Sequence, residues 1–146
     1  MKKLLYIGFI AFSLLFFVPL MGVAQTTAKS LIGDWKFERV EILTGNATLS
    51  ETDKQMKIDA EQKLTTGLKE KNISFTSKKC QDNVFGWGDT KWDYSKNNQQ
   101  LQFTRWVQDG KDKLKENKSF KATVENGKLS LEDWTLPKYR LFFTKK

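Results

Sequence analysis

The chain has 146 residues, with 25 Lys+Arg against 17 Asp+Glu and a formal net charge of +8. It contains no histidine and one cysteine. That excludes a Ser-His-Asp triad, a Cys-His pair, an imidazole metal site, a four-Cys zinc site and an intramolecular disulfide.

Residues 1–24 read as a secretory signal peptide. Lys2 and Lys3 are basic, residues 4–18 are apolar except for Gly8 and Ser13, and Pro19 breaks the run. Gly22 and Ala24 supply small residues at the −3 and −1 positions, so cleavage is expected before Gln25. The rival reading is a retained anchor, but the run is short for a membrane span of about 20 residues. No cysteine stands just after it, the single one being Cys80, which excludes lipid attachment there. The expected domain is then 25–146, exported to the periplasm or beyond, with no integral membrane segment after cleavage.

Residues 31–42 predict a first strand. Trp35 and Phe37 alternate with charge, then Val40 and Ile42 alternate on the other parity, so a bulge is expected near Glu38 and Arg39. Thr44, Gly45 and Asn46 signal a turn. Residues 50–71 predict the one helix, capped by Ser50 with Asp53 three residues on. Met56, Ala60, Leu64 and Leu68 recur every four residues as an apolar stripe, expected to pack on a larger body. Short strands are then expected at 73–77, 84–88, 91–95 and 101–107. Asp109 and Gly110 open what reads as a very polar loop over 111–117. Phe120, Ala122 and Val124 share one face of the next strand, Asn126-Gly127 is the best hairpin signal, and Leu129 and Leu131 follow it. Pro137 precedes a final strand at 139–144. No βαβ alternation occurs. The expected fold is mostly β: an up-and-down antiparallel barrel, or a strongly curled sheet, of about eight strands with one amphipathic helix after the first strand.

Gly33-Asp34-Trp35 on the first strand, one helix, an antiparallel meander and a basic residue, Arg140, in the last strand together resemble the lipocalin-like members of the calycin group. More narrowly, Leu31-Ile32-Gly33-Asp34-Trp35 behind a signal peptide is similar to the small secreted lipocalin-like domains of bacteria. The resemblance implies that Trp35 closes one end of a barrel, with Gly33 beside it and Arg140 packed over the indole. A guanidinium in that place would gain cation–π energy. Two features depart from the larger lipocalins: the helix follows the first strand, and the domain is short.

Five Trp, eleven Phe and three Tyr make the chain rich in rings. An eight-stranded barrel is just wide enough to be filled by side chains or to hold one small ligand. Trp35, Phe75, Trp92 and Phe103 are therefore either the lining of an apolar pocket or its plug. Phe103 and Trp106 cannot both point inward on a regular strand. Cys80 reads as a small buried hydrophobe, with a reactive or intermolecular thiol as the alternative. Only three of the basic residues are Arg, and this with export argues against nucleic acid; a weak attraction to acidic surfaces fits the lysines. The carboxylate pairs Asp89 with Asp93 and Glu132 with Asp133 read as solvated faces. No metal, cofactor or nucleophile–base pair can be assembled, so the chain is not expected to be an enzyme. Two functions stand: binding of an apolar or amphipathic small molecule inside the barrel, or a filled-core barrel serving as a protein-interaction or cell-envelope accessory module.

Overall fold

The computed structural model describes residues 25–135 and 138–146. The expected signal peptide, residues 1–24, and the expected break at Pro137 lie outside the described residues. After a short helix α1 (Ala28–Leu31), the elements run β1 (Gly33–Ile42), α2 (Glu51–Leu68), β2 (Asn72–Phe75), β3 (Lys79–Asp82), β4 (Gly88–Ser95), β5 (Gln100–Asp109), β6 (Asp112–Glu125), β7 (Lys128–Asp133) and β8 (Tyr139–Lys145). Each strand pairs antiparallel with its sequence neighbours, and β8 returns to β1, closing an eight-stranded barrel. Closure removes the two free sheet edges that an open meander would expose.

Alternation sets which side chains point inward. Trp35 and Phe37 on β1, Ile73 and Phe75 on β2, Leu101 and Phe103 on β5, Phe120 and Ala122 on β6, Leu129 and Leu131 on β7 and Phe143 on β8 are all buried. The expected parity switch is present: the β1–β8 register shifts between Phe37 and Arg39, which returns Val40 to the interior. The Asn126-Gly127 turn has φ of 50° and 73°, the doubly positive pair of a tight two-residue hairpin.

Three expected elements differ. Residues 84–87 do not form a strand, and Gly88 already opens β4; the strand is β3, just before them. The Asp82 carboxylate accepts N–H bonds from Val84, Phe85 and Trp87, which winds the following segment into a loop. The polar stretch 111–117 is strand rather than loop: a tight turn at Gly110 leads straight into β6, which pairs with β5 from Asp112 through Lys121. Polar residues suit it because this length of β6 projects past its pairing with β7, which begins at Phe120.

The helix differs in the face it presents. Ser50 caps it as expected, its Oγ accepting from the Asp53 N–H at 3.1 Å. Yet α2 has no buried residue, and Met56 and Leu64 of the expected packing stripe are 64% and 39% exposed. The reason lies in β1, which pairs with β2 only from Gly33 to Lys36. Beyond that point its N–H groups need other acceptors. Phe37 N–H bonds the Lys71 carbonyl, Val40 N–H bonds Thr65 Oγ1, and Ile42 N–H bonds Glu61 Oε1 at 2.7 Å. The helix therefore docks by polar side chains that finish the β1 ladder, while Leu68, the last residue of the expected stripe, does pack against the core.

Candidate functional site

One end of the barrel is built around the Gly33-Asp34-Trp35 motif. Trp35 has no exposed surface, and its Nε1–H donates to the Leu31 carbonyl at 2.7 Å. Leu31, the last residue of α1, is equally buried. The lead before it is held down by Thr26, whose Oγ1 accepts from the Val124 N–H at 2.7 Å. Gly33 has φ +131°, and a β-carbon there would come within 3.0 Å of Lys145 Cε. The backbone angle favours glycine here, and a larger residue would also make the end of the Lys145 side chain give way.

The cation at Trp35 is Lys145, whose Nζ stands 5.5 Å from the ring centre. Arg140 is not there. It lies on the outer face, where its guanidinium bonds Glu132 Oε2 at 2.9 Å and Glu41 Oε2 at 3.4 Å. The cause is register. Trp35 pairs with Lys145 and Glu41 with Arg140, while alternation on β8 turns Lys145 to the side of the buried Phe143 and Arg140 to the opposite side.

The remaining candidates meet inside. Phe75 stands edge-on to Trp92 at 5.3 Å and 6.0 Å from Phe103. Phe103 lies 5.5 Å from Phe120, and Phe120 stacks on Phe85 at 4.7 Å. Phe75 and Phe103 are almost fully buried, and Trp92 is half-buried with its Nε1–H on the Thr76 carbonyl at 2.8 Å. These rings touch one another. Trp106, on the other parity from Phe103, is 60% exposed on the outside.

The far end is covered by the loop 83–87. Phe85 inserts into the ring cluster, and Lys118 Nζ sits 4.9 Å above it. Trp87 lies beneath Arg105, 4.5 Å from ring centre to guanidinium carbon, and Arg105 Nε bonds Glu116 Oε2 at 2.7 Å. Asp82, buried at 3% exposure, anchors this loop. Sequence reasoning missed Asp82 and Phe85. The available signal was an Asp followed within six residues by Gly86 and Gly88, both at positive φ, which is turn chemistry rather than strand chemistry.

Cys80 has no exposed surface. Burial, then the nearby Asp82 and Asp89 charges, push its thiol far above the ordinary range, against a smaller opposing effect from the Thr90 hydroxyl. It is a packing residue, not a nucleophile. Burial likewise raises the Tyr94 phenol, opposed by its hydrogen bond to Thr26.

No family model matches the chain, and no curated protein or solved structure matches it. Among the described residues no group of three or more Asp, Glu or Cys could hold a metal ion. No described helix is long and apolar enough to cross a membrane.

Proposed function

We propose that this is a non-enzymatic, exported binding module of lipocalin-like build, whose interior is filled and whose work is done by its outer surface. One observation carries the reading: Phe75, Phe85, Phe103 and Phe120 form a continuous ring cluster where a ligand would have to sit. Inserting a ligand would cost the contacts these rings already make with each other. The basic n-region, the apolar run and the small residues before Gln25 support export. The Gly33-Asp34-Trp35 geometry at a closed barrel end supports the lipocalin-like build.

A second reading keeps an apolar ligand inside, with Trp35, Phe75, Trp92 and Phe103 as its walls. It is favoured by the far end, where the loop 83–87 is held mainly by Asp82 and could swing away with Phe85. Titration of delipidated protein with fatty acids, haem-like rings and retinoid-like probes, read by tryptophan emission, separates the two. The filled barrel predicts no saturable change. Saturable uptake lost in a Phe103 variant that still folds would replace it with the interior-ligand reading.

A further inference from the structure

We propose that the outer face of the β5–β6 ribbon binds an acidic polysaccharide, with Trp106 as the platform for one sugar ring. The inference rests on the reading that the outer surface is the working part, and it names the ligand class. β5 and β6 pair over their full shared length, from Gln100 with Lys121 to Asp109 with Asp112. β4 pairs with β5 only as far as Thr104. The ribbon therefore projects beyond the barrel wall by about 16 Å, five residues per strand at roughly 3.3 Å each.

Alternation sorts the charges on this ribbon. Asp109, Asp112 and Glu116 all fall on the inner parity, the side of Phe103 and Phe120. The outer parity over 104–108 and 113–119 carries Trp106, Lys113 and Lys115 with Thr104, Asn117 and other uncharged polar residues, and no acid. Lys115 is the direct cross-strand partner of Trp106. Lys91 of β4 joins them in a shallow hollow of about 270 Å³, in which Asp93 is the one carboxylate.

These lysines are also unspent. Arg105, Lys128, Lys57 and Arg140 are each committed to an ion pair. Lys91, Lys113 and Lys115 form none among the described residues. An unpaired basic face attracts polyanions.

The neighbours of the lysines decide which polyanion. Thr104 Oγ1 donates to Asn117 Oδ1 and Gln108 Nε2 to the Gly110 carbonyl, both at 2.9 Å; the amide groups these bonds leave over match sugar hydroxyls as donors and acceptors, and an exposed indole gives an apolar plane with a polar edge. Acyl chains would bury the charged and polar side chains around the one exposed indole at a cost. A protein partner would need a cluster of apolar anchors, and Trp106 is the one exposed ring here, Trp92 of the same hollow being half-buried with its Nε1–H on the Thr76 carbonyl. Nucleic-acid recognition leans on Arg, and the ribbon's only Arg is on the inner parity, paired with Glu116.

Affinity electrophoresis of the purified protein in polygalacturonate, with neutral dextran as the control gel, tests the proposal. Trp106→Ala and Lys113→Gln/Lys115→Gln alter exposed side chains, and circular dichroism checks that both fold. Retardation by polygalacturonate alone is expected, weakened at least about tenfold by Trp106→Ala, as for an exposed aromatic anchor. The double lysine variant should weaken it and flatten its salt dependence. No retardation, or retardation indifferent to Trp106→Ala, overturns the proposal. So does equal, Trp106-dependent binding to duplex DNA or to phosphatidylglycerol vesicles. The apolar-probe titration reads the interior and this gel reads the outer face, so the two readings fail separately.

Discussion

The two ends of the barrel are closed by different physics. At the Trp35 end, a large ring and Leu31 are withdrawn from water, and the hydrogen bonds there serve to satisfy groups already buried. At the far end, a loop is wound around one carboxylate, and its rings are only partly covered. The first closure draws on apolar area, which is spread over many contacts. The second concentrates on Asp82, because a buried acceptor that serves several N–H groups leaves all of them unpaired when it is lost. The Trp35 end should therefore fail only with the whole fold, while the far end can open by itself.

The largest expected effect is at the first end. Trp35→Ala should cost about 3–5 kcal/mol as a buried aromatic truncation, read as a lower denaturant midpoint; an unchanged midpoint would put Trp35 outside the core. Asp82→Ala should cost about 1–3 kcal/mol and make residues 83–87 the first site of limited proteolysis. Equal protection of that loop in the variant would show that Phe85 packing, not the carboxylate, holds it.

Cys80 reports on the same comparison. In the native protein it should resist thiol-reactive probes and label only on unfolding. Asp82→Ala should speed labelling beyond what its global stability explains, whereas Trp35→Ala should speed it only in step with global unfolding. Labelling that follows global stability in both variants would mean the two ends do not open independently.

Glu61 adds a pH dependence on the flank between the ends. Burial works against its charge, but the hydrogen bonds from Lys57 and the Ile42 N–H, with the charges of Lys57 and Arg39, hold its carboxyl below the ordinary value. A depressed folded pKa stabilises above the unfolded value and is lost as pH falls through the folded one. Glu61→Gln should therefore lower the unfolding midpoint at neutral pH, and the gap from the parent should narrow in acid. A gap constant with pH would assign the bond to geometry alone.

The smallest effects distinguish the two basic residues of β8. Lys145→Ala should cost about 0.5–1 kcal/mol through the Trp35 ring. Arg140→Ala should cost about 0–1 kcal/mol, because the Arg140 side chain is more than a third exposed and its ion pairs are screened. Indole emission of Trp35 should respond to the first and not the second.

Much of the architecture was legible locally. Alternation at Trp35 and Phe37 and its switch at Val40 announced the bulge, Ser50 announced the helix start, and Asn126-Gly127 announced its hairpin. The site was legible by composition but not by arrangement. Trp35, Phe75, Trp92 and Phe103 all lie inside, yet nothing in their spacing said whether they line a space or fill it. Arg140 was misplaced although a signal existed: it shares parity with Phe142, while Lys145 shares parity with the buried Phe143.

The sequence by itself determined which segments are strands over most of the chain, where the helix begins and which strand faces are apolar, because period, caps and turn residues act over a few residues. Only the tertiary structure decided the β1–β8 register that brings Lys145 to Trp35. It also decided that α2 docks by Glu61 and Thr65. Each depends on groups far apart in the chain meeting once the barrel closes. The demand for hydrogen-bond partners at β1, where β2 ends early, exists only in the assembled sheet.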